Sequence, residues 1–493
     1  MLSSLCTLSS TELGRLIRTG QLSSVEAVDA HIAAIERLNG RLNAVVACRF
    51  EQARAEAKAA DVLVRARSGE PLPVFHGVPC TVKESFALRG MPHSGGLYAR
   101  RQRRASEDAL TVSRLRRTGA IALGVTNLSE LCMWMESDNP VYGRTSNPYD
   151  LGRTVGGSSG GEGAIIAAGG SPMGIGSDIG GSIRLPAFFC GIFGHKPTGG
   201  LVPCSGQFPA PIGDARRYIT TGPLARKAED LWPFLQAIAG PDPADPSGPC
   251  FTLGDPAQVR LADLQVLDVP DNGTTPVHPE LRAAQRSVAE HLASRGARVR
   301  PLRIPALRQS LEIWGSMLSA AGGPSFAELM GEGHAVSPER ELVRWLFGRS
   351  HHTFPAIALA SLERLPTFTG ERGQRYVAMG RKLGREIEAL LGPSGVLLYP
   401  SYAEPAPRHG LPMLRPFRFV YTAIFNVLEL PSTQVPLGLS RGSLPLGVQV
   451  VARRGNDHLT IAVAQELERA FGGWVEPAMS RTTEPTAAAP NGA

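Results

Sequence analysis

Two serines, each set in a glycine-rich turn, constrain the fold of this chain more than any other feature. Ser158 lies within the run Gly156 to Gly161, and Ser182 lies downstream, directly after Gly180 and Gly181. Flanking glycines let the backbone adopt left-handed dihedrals, expose the hydroxyl and direct successive N–H groups into one concavity. A concavity of this kind can hold a negatively charged oxygen.

The segments around these turns indicate an α/β fold. The short apolar run 78–82 predicts a strand before Lys83, and residues 121–125 predict a second strand after a helical stretch. The small apolar residues 164–168 predict a buried helix, which places the first glycine turn at a helix N-terminus with its free N–H groups. This alternation of strands and helices is typical of α/β proteins.

The rest of the chain divides by pattern into segments. Residues 23–26 read as a capping box that opens a helix, within an N-terminal helical segment. We predict a single domain over residues 1–476, followed by a disordered tail over 477–493 that is rich in Ala, Pro, Thr and Glu. The predicted segments are 9–70 (N-terminal helices), 76–215 (the core with both glycine turns), 240–390 (a mostly helical insertion or cap) and 391–476 (a return to the sheet, with strands at 396–400 and 447–451).

The bulky apolar residues of the helical insertion are interpreted mainly as core. A minority of them could line a pocket for an apolar acyl group. They are Ile313, Trp314, Met317, Leu318, Trp345, Leu346, Phe347 and Phe354.

Charge is spread along the chain, with one dense basic region at 100–117 in a protein of net charge +7. We interpret this region as a solvated helix face, because Leu110, Val112 and Leu115 run through it as a core stripe. No aromatic residues alternate with its arginines as single-strand binding would favour. We therefore expect no nucleic-acid partner.

Cysteine content and hydropathy bear on the compartment. The chain has 7 cysteines and no C-x-x-C pair, which favours reduced thiols and a cytoplasmic location. No apolar run reaches the roughly 18 residues of a membrane span, and the first residues do not resemble a signal peptide. We expect no transmembrane segment.

A lysine completes a set of candidate catalytic residues with the two serines. Lys83 follows a predicted strand, and it is one of only five lysines in a chain with 51 basic residues, so a cation needed merely for charge is usually an arginine here. An amine withdrawn from water can lose its proton, whereas a guanidinium cannot. We predict that Lys83 is a base for a serine hydroxyl. From Lys83 alone, without the two serines, a surface lysine at a strand end would be the default interpretation.

The first turn also fits a different catalytic pattern. Gly156 to Gly160 matches the G-x-S-x-G nucleophile elbow, which would make Ser158 the nucleophile of an α/β-hydrolase esterase with His458 as its base. An elbow follows a strand, however, and residues 147–152 are turn-like. The glycines at 174–180 have the wrong spacing for a dinucleotide loop, and no H-E-x-x-H pair occurs, so we expect no cofactor and no metal.

Taken together, the two turns resemble the amidase signature family. The resemblance rests on residues 156–161, 176–187 and 191–198 and on 444–449 near the C-terminus, and it covers most of residues 9–476. Within the family, residues 160–163, 206–209, 456–460 and 471–475 are similar to the second type of fatty-acid amide hydrolase of animals. That type carries an N-terminal membrane segment, and we expect none in this chain.

The resemblance implies a fold and a set of site residues. The fold would be a mixed central β-sheet covered by α-helices. Ser182 would be the acylated nucleophile, Ser158 a bridging serine in a cis peptide, and Lys83 the base of a serine amidohydrolase. Further residues are implied as oxyanion donors (Ile179, Gly180, Gly181 and Ser182), as a contact of the acyl group (Cys132) and as braces of the turns (Ser159, Asp178 and Arg184).

The implied substrate is a small-molecule amide, with a fatty or other apolar acyl group suggested by the subfamily. The family also contains small-amide hydrolases, aryl acylamidases and the glutaminase subunit of a tRNA-dependent amidotransferase, so these remain alternatives. Peripheral contact with a membrane and a homodimer are both left open.

Overall fold

The fold is built around one mixed β-sheet of 11 strands. The computed structural model describes residues 4–66, 71–243, 245, 251–363 and 368–481. The strands are β1 (Val45–Cys48), β2 (Pro79–Lys83), β3 (Ile121–Thr126), β4 (Met173–Asp178), β5 (Phe193–Lys196), β6 (Thr220–Ala225), β7 (Gln265–Asp268), β8 (Arg298–Pro301), β9 (Gly395–Tyr399), β10 (Ser432–Leu439) and β11 (Pro445–Ala452).

The strand order is β1-β3-β2-β4-β6-β5-β10-β11-β9-β7-β8. β2 lies between β3 and β4 and runs parallel to both, with Val82 opposite Ile175 and Lys83 opposite Thr126. The carboxyl ends of parallel strands meet at one edge of a sheet, which is where α/β proteins commonly place their sites. Lys83 and Asp178, the last residues of β2 and β4, therefore lie at the same edge.

Helices cover both faces of the sheet. Side chains alternate between the two faces of a strand, and in β9 the pair Val396 and Leu398 packs into one core while Leu397 and Tyr399 pack into another. The α-helices are α1 (Ser10–Arg18), α2 (Ser24–Leu42), α3 (Phe50–Ala66), α4 (Leu110–Arg117), α5 (Gly160–Ala167), α6 (Arg184–Phe189), α7 (Ala215–Tyr218), α8 (Leu231–Ile238), α9 (Pro279–Ser294), α10 (Ser310–Ala320), α11 (Phe326–Met330), α12 (Pro338–Leu346), α13 (Phe354–Leu362), α14 (Gly370–Leu391), α15 (Leu411–Leu414), α16 (Val420–Val427) and α17 (Asp457–Phe471).

The predicted fold class is confirmed, and so is the capping box. The Ser23 hydroxyl accepts from the Glu26 N–H, and the Glu26 carboxylate accepts from the Ser23 N–H at 2.9 Å, which fixes the start of α2. The cysteines of the described residues are free thiols. Among the described helices, none combines the length and apolarity needed to cross a membrane.

Three expectations about the segments need correction. The helical insertion contributes β7 and β8 to one edge of the sheet, so strands return well before residue 396. The N-terminal helices are interrupted by β1, which pairs with β3. In the predicted tail, residues 478–480 form a helical turn in which Ser480 is buried and bonded to the Ala168 carbonyl; residues 482–493 of that tail lie outside the described residues.

The basic region is less solvated than predicted. Val112 and Leu115 are buried as the predicted stripe requires. Arg114, however, donates to the carbonyls of Ile238 and Pro241 at the end of α8, which satisfies acceptors that a helix C-terminus leaves open. Arg116 pairs with Asp108 at 2.6 Å. Both arginines therefore bind other parts of the fold and do not simply face solvent.

Candidate active site

Lys83 and Ser158 form a buried hydrogen-bonded pair. The Lys83 amine donates to the Ser158 hydroxyl at 2.7 Å and to the Ser177 hydroxyl at 3.0 Å, and all three side chains are almost fully buried. Ser177 lies near the end of β4, beside the strand that carries Lys83. The sheet edge thus brings the predicted base to the serine of the first glycine turn.

The first turn holds Ser158 through its backbone. The peptide bond between Gly157 and Ser158 is cis, as the resemblance implied. Ser137 clamps the turn from outside: its hydroxyl contacts the carbonyls of Gly156 at 3.1 Å and Ser158 at 3.2 Å and accepts from the Gly160 N–H at 2.9 Å. Three backbone groups of the turn are held by this one side chain, so the Ser158 hydroxyl has a fixed position.

The second turn is joined directly to the first. The Ser159 N–H donates to the Ser182 carbonyl at 3.1 Å, and the Ser159 hydroxyl donates to the Ser177 carbonyl at 3.3 Å. Both bonds of Ser159 link the first turn to the segment that carries the second, and its bracing role stays a prediction. The Ser182 hydroxyl forms no hydrogen bond to another described residue, and Ser182 is 7% exposed, so its oxygen is available to a bound molecule.

The carboxylate of Asp178 holds the backbone of the second turn through hydrogen bonds. It accepts from the N–H groups of Gly181 at 2.7 Å and Ile183 at 3.1 Å, and it forms a two-pronged ion pair with Arg184. Burial alone would raise the pKa of Asp178, but the charge and hydrogen bonds of Arg184, together with Asn426, hold it below its ordinary value. The bracing roles of Asp178 and Arg184 stay predictions, which these contacts support.

One predicted oxyanion donor is already occupied. The Gly181 N–H is bonded to Asp178 and does not point freely into the turn, so its assignment as an oxyanion donor is wrong for this structure. The N–H groups of Ile179, Gly180 and Ser182 have no acceptor among the described residues. Gly181 is instead required for space and conformation: its φ is +121°, and a β-carbon there would collide with Thr422.

The surroundings of Lys83 favour its neutral form. Burial lowers the pKa of the Lys83 amine, although Cys132, Asp178 and Glu162 lie close enough to oppose this effect. Glu162 is itself fully buried on α5, and burial raises the pKa of its carboxyl to about 8 despite hydrogen bonds from Thr81 and Thr126. A neutral carboxyl beside Lys83 stabilises an ammonium ion less than a carboxylate would.

Cys132 lies at the Lys83 side of the site. It is 7% exposed, and its backbone and that of Leu131 adopt left-handed dihedrals, with φ of 62° and 54°. Leu131 packs into an apolar cluster with Phe326 and Ile357. The predicted acyl contact of Cys132 stays a prediction, with an apolar environment beside it.

The apolar residues predicted from the helical insertion do not form one pocket. Met317 is in the core, while Trp345 packs against Phe354 and is 41% exposed. Leu346 and Phe347, interpreted as core, are 68% and 74% exposed. Of this set, Trp314 lies at the second glycine turn, where its indole N–H donates to the Ile179 carbonyl at 2.9 Å.

The nucleophile-elbow alternative is wrong. No strand occurs between residues 127 and 159, all of which are described, so nothing presents Ser158 as an elbow would. The hydroxyl of Ser158 is bonded to Lys83. His458 lies at the start of α17, packed against Gly254.

Several residues of the site were missed from sequence. Ser177 is a second partner of Lys83, and its place at the end of a strand beside β2 was a usable signal. Ser137 and Glu162 act across the fold, and no local pattern marks them. Trp314 was predicted only as a core or pocket residue, and its hydrogen bond to the Ile179 carbonyl was missed. In the described ranges, no three His, Cys, Asp or Glu side chains converge as metal ligands would.

Comparisons with known proteins find relatives over almost the whole chain. A family model described as Amidase matches residues 26–461. Fatty-acid amide hydrolase 2-B of Danio rerio is 49% identical over 489 residues, covering 96% of this chain and 91% of that protein. Fatty-acid amide hydrolase 2 of Homo sapiens is 45% identical over 486 residues, covering 95% and 90%. A solved 6-aminohexanoate cyclic dimer hydrolase with its substrate has a TM-score of 0.81 at 27% identity, covering 97% of this chain and 100% of that one.

Proposed function

The chain belongs to the amidase family, whose members hydrolyse amide bonds, and on this premise we propose that it hydrolyses amides of long apolar acids through Ser182, Ser158 and Lys83. The observation that carries the choice of substrate is the 45% to 49% identity with proteins named fatty-acid amide hydrolase 2. The apolar rings of Trp314 and Phe419 beside the second glycine turn support it.

In the proposed acylation step, the Ser182 oxygen attacks the carbonyl carbon of the amide. Its proton passes to Ser158 while the proton of Ser158 passes to neutral Lys83, whose nitrogen lies 2.7 Å from the Ser158 oxygen. The free N–H groups of Ile179, Gly180 and Ser182 stabilise the oxyanion. Collapse of the intermediate breaks the C–N bond, and Lys83 returns its proton through Ser158 to the leaving nitrogen.

Deacylation repeats the sequence with water. Lys83 accepts a proton from the attacking water through Ser158, the ester bond to Ser182 breaks, and the carboxylic acid leaves. Each proton that Lys83 takes up is given back in the same half-reaction. The cycle therefore needs an amine that is neutral at rest, which is the direction in which burial moves the pKa of Lys83.

We predict that activity increases with the length of the acyl chain. Each buried methylene contributes about 0.8 kcal/mol, so kcat/KM should rise about fourfold per methylene until the pocket is full. The measurement is a hydrolysis series of primary amides from acetamide to oleamide. A flat series, or a preference for acetamide or for acyl anilides, would favour the small-amide or aryl acylamidase alternatives.

The amidotransferase alternative predicts a different substrate preference. A glutaminase subunit acts with partner chains and prefers glutamine. In the same series, turnover of glutamine above that of the fatty amides would contradict the proposed substrate. No nucleic-acid partner is proposed, and the homodimer stays a prediction.

We also propose peripheral contact with a membrane surface through the hairpin of α12 and α13. Val343, Leu346 and Phe347 of this hairpin are 54%, 68% and 74% exposed, and exposed arginines at 340, 344 and 349 flank them. Apolar side chains beside basic ones suit the interface of an anionic bilayer.

The same hairpin is tied to the candidate site. The Glu130 carboxylate accepts from the His352 ring at 2.7 Å and from the Thr353 N–H at 2.8 Å. Glu130 lies two residues before Cys132. Contact at the hairpin would therefore bring a membrane-dissolved amide close to the site.

We predict that Leu346→Glu with Phe347→Glu weakens binding to phosphatidylcholine vesicles containing phosphatidylserine at least about tenfold, because two apolar side chains no longer enter the interface. Sedimentation with vesicles measures this. The matched control is Val62→Glu with Leu63→Glu, which changes two side chains of similar exposure on α3. Equal losses from both pairs would contradict contact through the hairpin.

A further inference from the structure

The carbonyl groups of the second glycine turn are held from outside by two side chains. The Trp314 indole N–H donates to the Ile179 carbonyl at 2.9 Å. The Thr422 hydroxyl donates to the next carbonyl, that of Gly180, at 2.8 Å. Trp314 comes from α10 and Thr422 from α16, so both holders are distant in sequence from the turn.

These bonds fix the directions of the peptide N–H groups. In a trans peptide the C=O and N–H point in opposite directions. The peptide that Thr422 holds carries the Gly181 N–H, which is already bonded to Asp178. The peptide that Trp314 holds carries the Gly180 N–H, which has no acceptor among the described residues. The bond from Trp314 therefore orients a donor that remains available to an oxyanion.

We propose that Trp314 is a positioning residue for the oxyanion hole, acting through the peptide between Ile179 and Gly180. The proposal rests on the proposed function of the site. The indole N–H acts on the transition state through this peptide. It holds the carbonyl at one end, and the peptide N–H at the other end stabilises the charge on the substrate oxygen.

The packing around Gly180 explains why an indole fits this role. A β-carbon at Gly180 would lie 3.5 Å from the Phe419 ring and 3.7 Å from the Trp314 ring. The two rings meet edge to face with centroids 5.1 Å apart. Phe419 contributes only apolar contact beside Gly180, whereas Trp314 contributes apolar contact and a hydrogen-bond donor. The pair therefore provides a control for the contribution of the donor alone.

The test compares Trp314→Phe with the wild type on an oleoyl amide and on two inhibitors. A trifluoromethyl ketone forms an oxyanion when the Ser182 oxygen adds to it, and the matching secondary alcohol cannot. We expect kcat and the affinity for the ketone to fall together, about ten- to a hundredfold. KM and the affinity for the alcohol should change less than threefold, because neither involves developing charge.

Two further variants complete the test. Site-specific replacement of Trp314 by benzothienylalanine keeps the shape of the indole ring but removes its N–H. We expect it to lower kcat and the affinity for the ketone as Trp314→Phe does. It also keeps the test valid if the smaller phenyl ring of Trp314→Phe impairs folding. Phe419→Leu should weaken the ketone and the alcohol equally. If the benzothienyl variant keeps wild-type ketone affinity, or if it weakens both inhibitors equally, Trp314 contributes only apolar contact and the proposal is overturned. Failure of the wild type itself to bind the ketone would count against the proposed function instead.

Discussion

A fluorophosphonate probe is expected to label Ser182 alone. Ser182 has a free hydroxyl beside unoccupied backbone donors, whereas the hydroxyl of Ser158 is bonded to Lys83. Labelling joins the Ser182 oxygen to phosphorus and expels fluoride, with the proton passing through Ser158 to Lys83. Peptide mapping by mass spectrometry identifies the labelled residue.

Substitution separates the roles of the two serines. Ser182→Ala should abolish labelling and reduce amide turnover by at least about 10⁴-fold, because no other group can replace the attacking oxygen. Ser158→Ala should slow both processes while Ser182 remains the labelled residue, since water can partly replace a proton relay. Label on Ser158 in the wild type would contradict the assignment and reverse the roles of the two serines.

Local patterns were enough to predict the parts of the site that are close in sequence. The glycine turns and the apolar strand before Lys83 lie within short stretches whose physical chemistry could be interpreted directly. The bracing roles of Asp178 and Arg184 came only from the resemblance to a family. Even in these stretches, the hydrogen bond from the Gly181 N–H to the Asp178 carboxylate was not predicted. Which N–H groups of a turn remain free depends on the fold of the turn, and glycine content alone does not determine it.

Contacts across the fold could not be predicted from one sequence. Trp314 is 135 residues from Ile179, and Glu162 is 81 residues from Thr81. The edge strands β7 and β8 were missed because each is short, and β8 is mostly exposed, so it lacks the apolar alternation that marks a strand. β7 is stabilised by pairing with β9, which begins only at Gly395, and β8 in turn pairs with β7.

Lys83→Arg is expected to remove nearly all amide turnover. A guanidinium retains the positive charge but cannot be neutral at any working pH, so it cannot accept the proton of Ser158. Retention of even a tenth of the wild-type rate would show that Lys83 is not the base. Because the larger side chain enters a fully buried site, Lys83→Met serves as a second variant without the amine. Lys382→Arg is the matched control, since Lys382 lies on α14, where it is 71% exposed and pairs with Glu386.

The pH profile tests the same assignment without a substitution. A base must be deprotonated to act, so kcat/KM should rise with pH and level off above the pKa of Lys83. Because burial lowers the pKa of this amine, the midpoint of the rise should lie below the ordinary lysine value of 10.5. Cys132, Asp178 and Glu162 oppose the shift, and they keep the pKa from falling as far as burial alone would take it. A rate that is constant across the alkaline range and falls only near pH 4 would assign the base to a carboxylate and exclude Lys83.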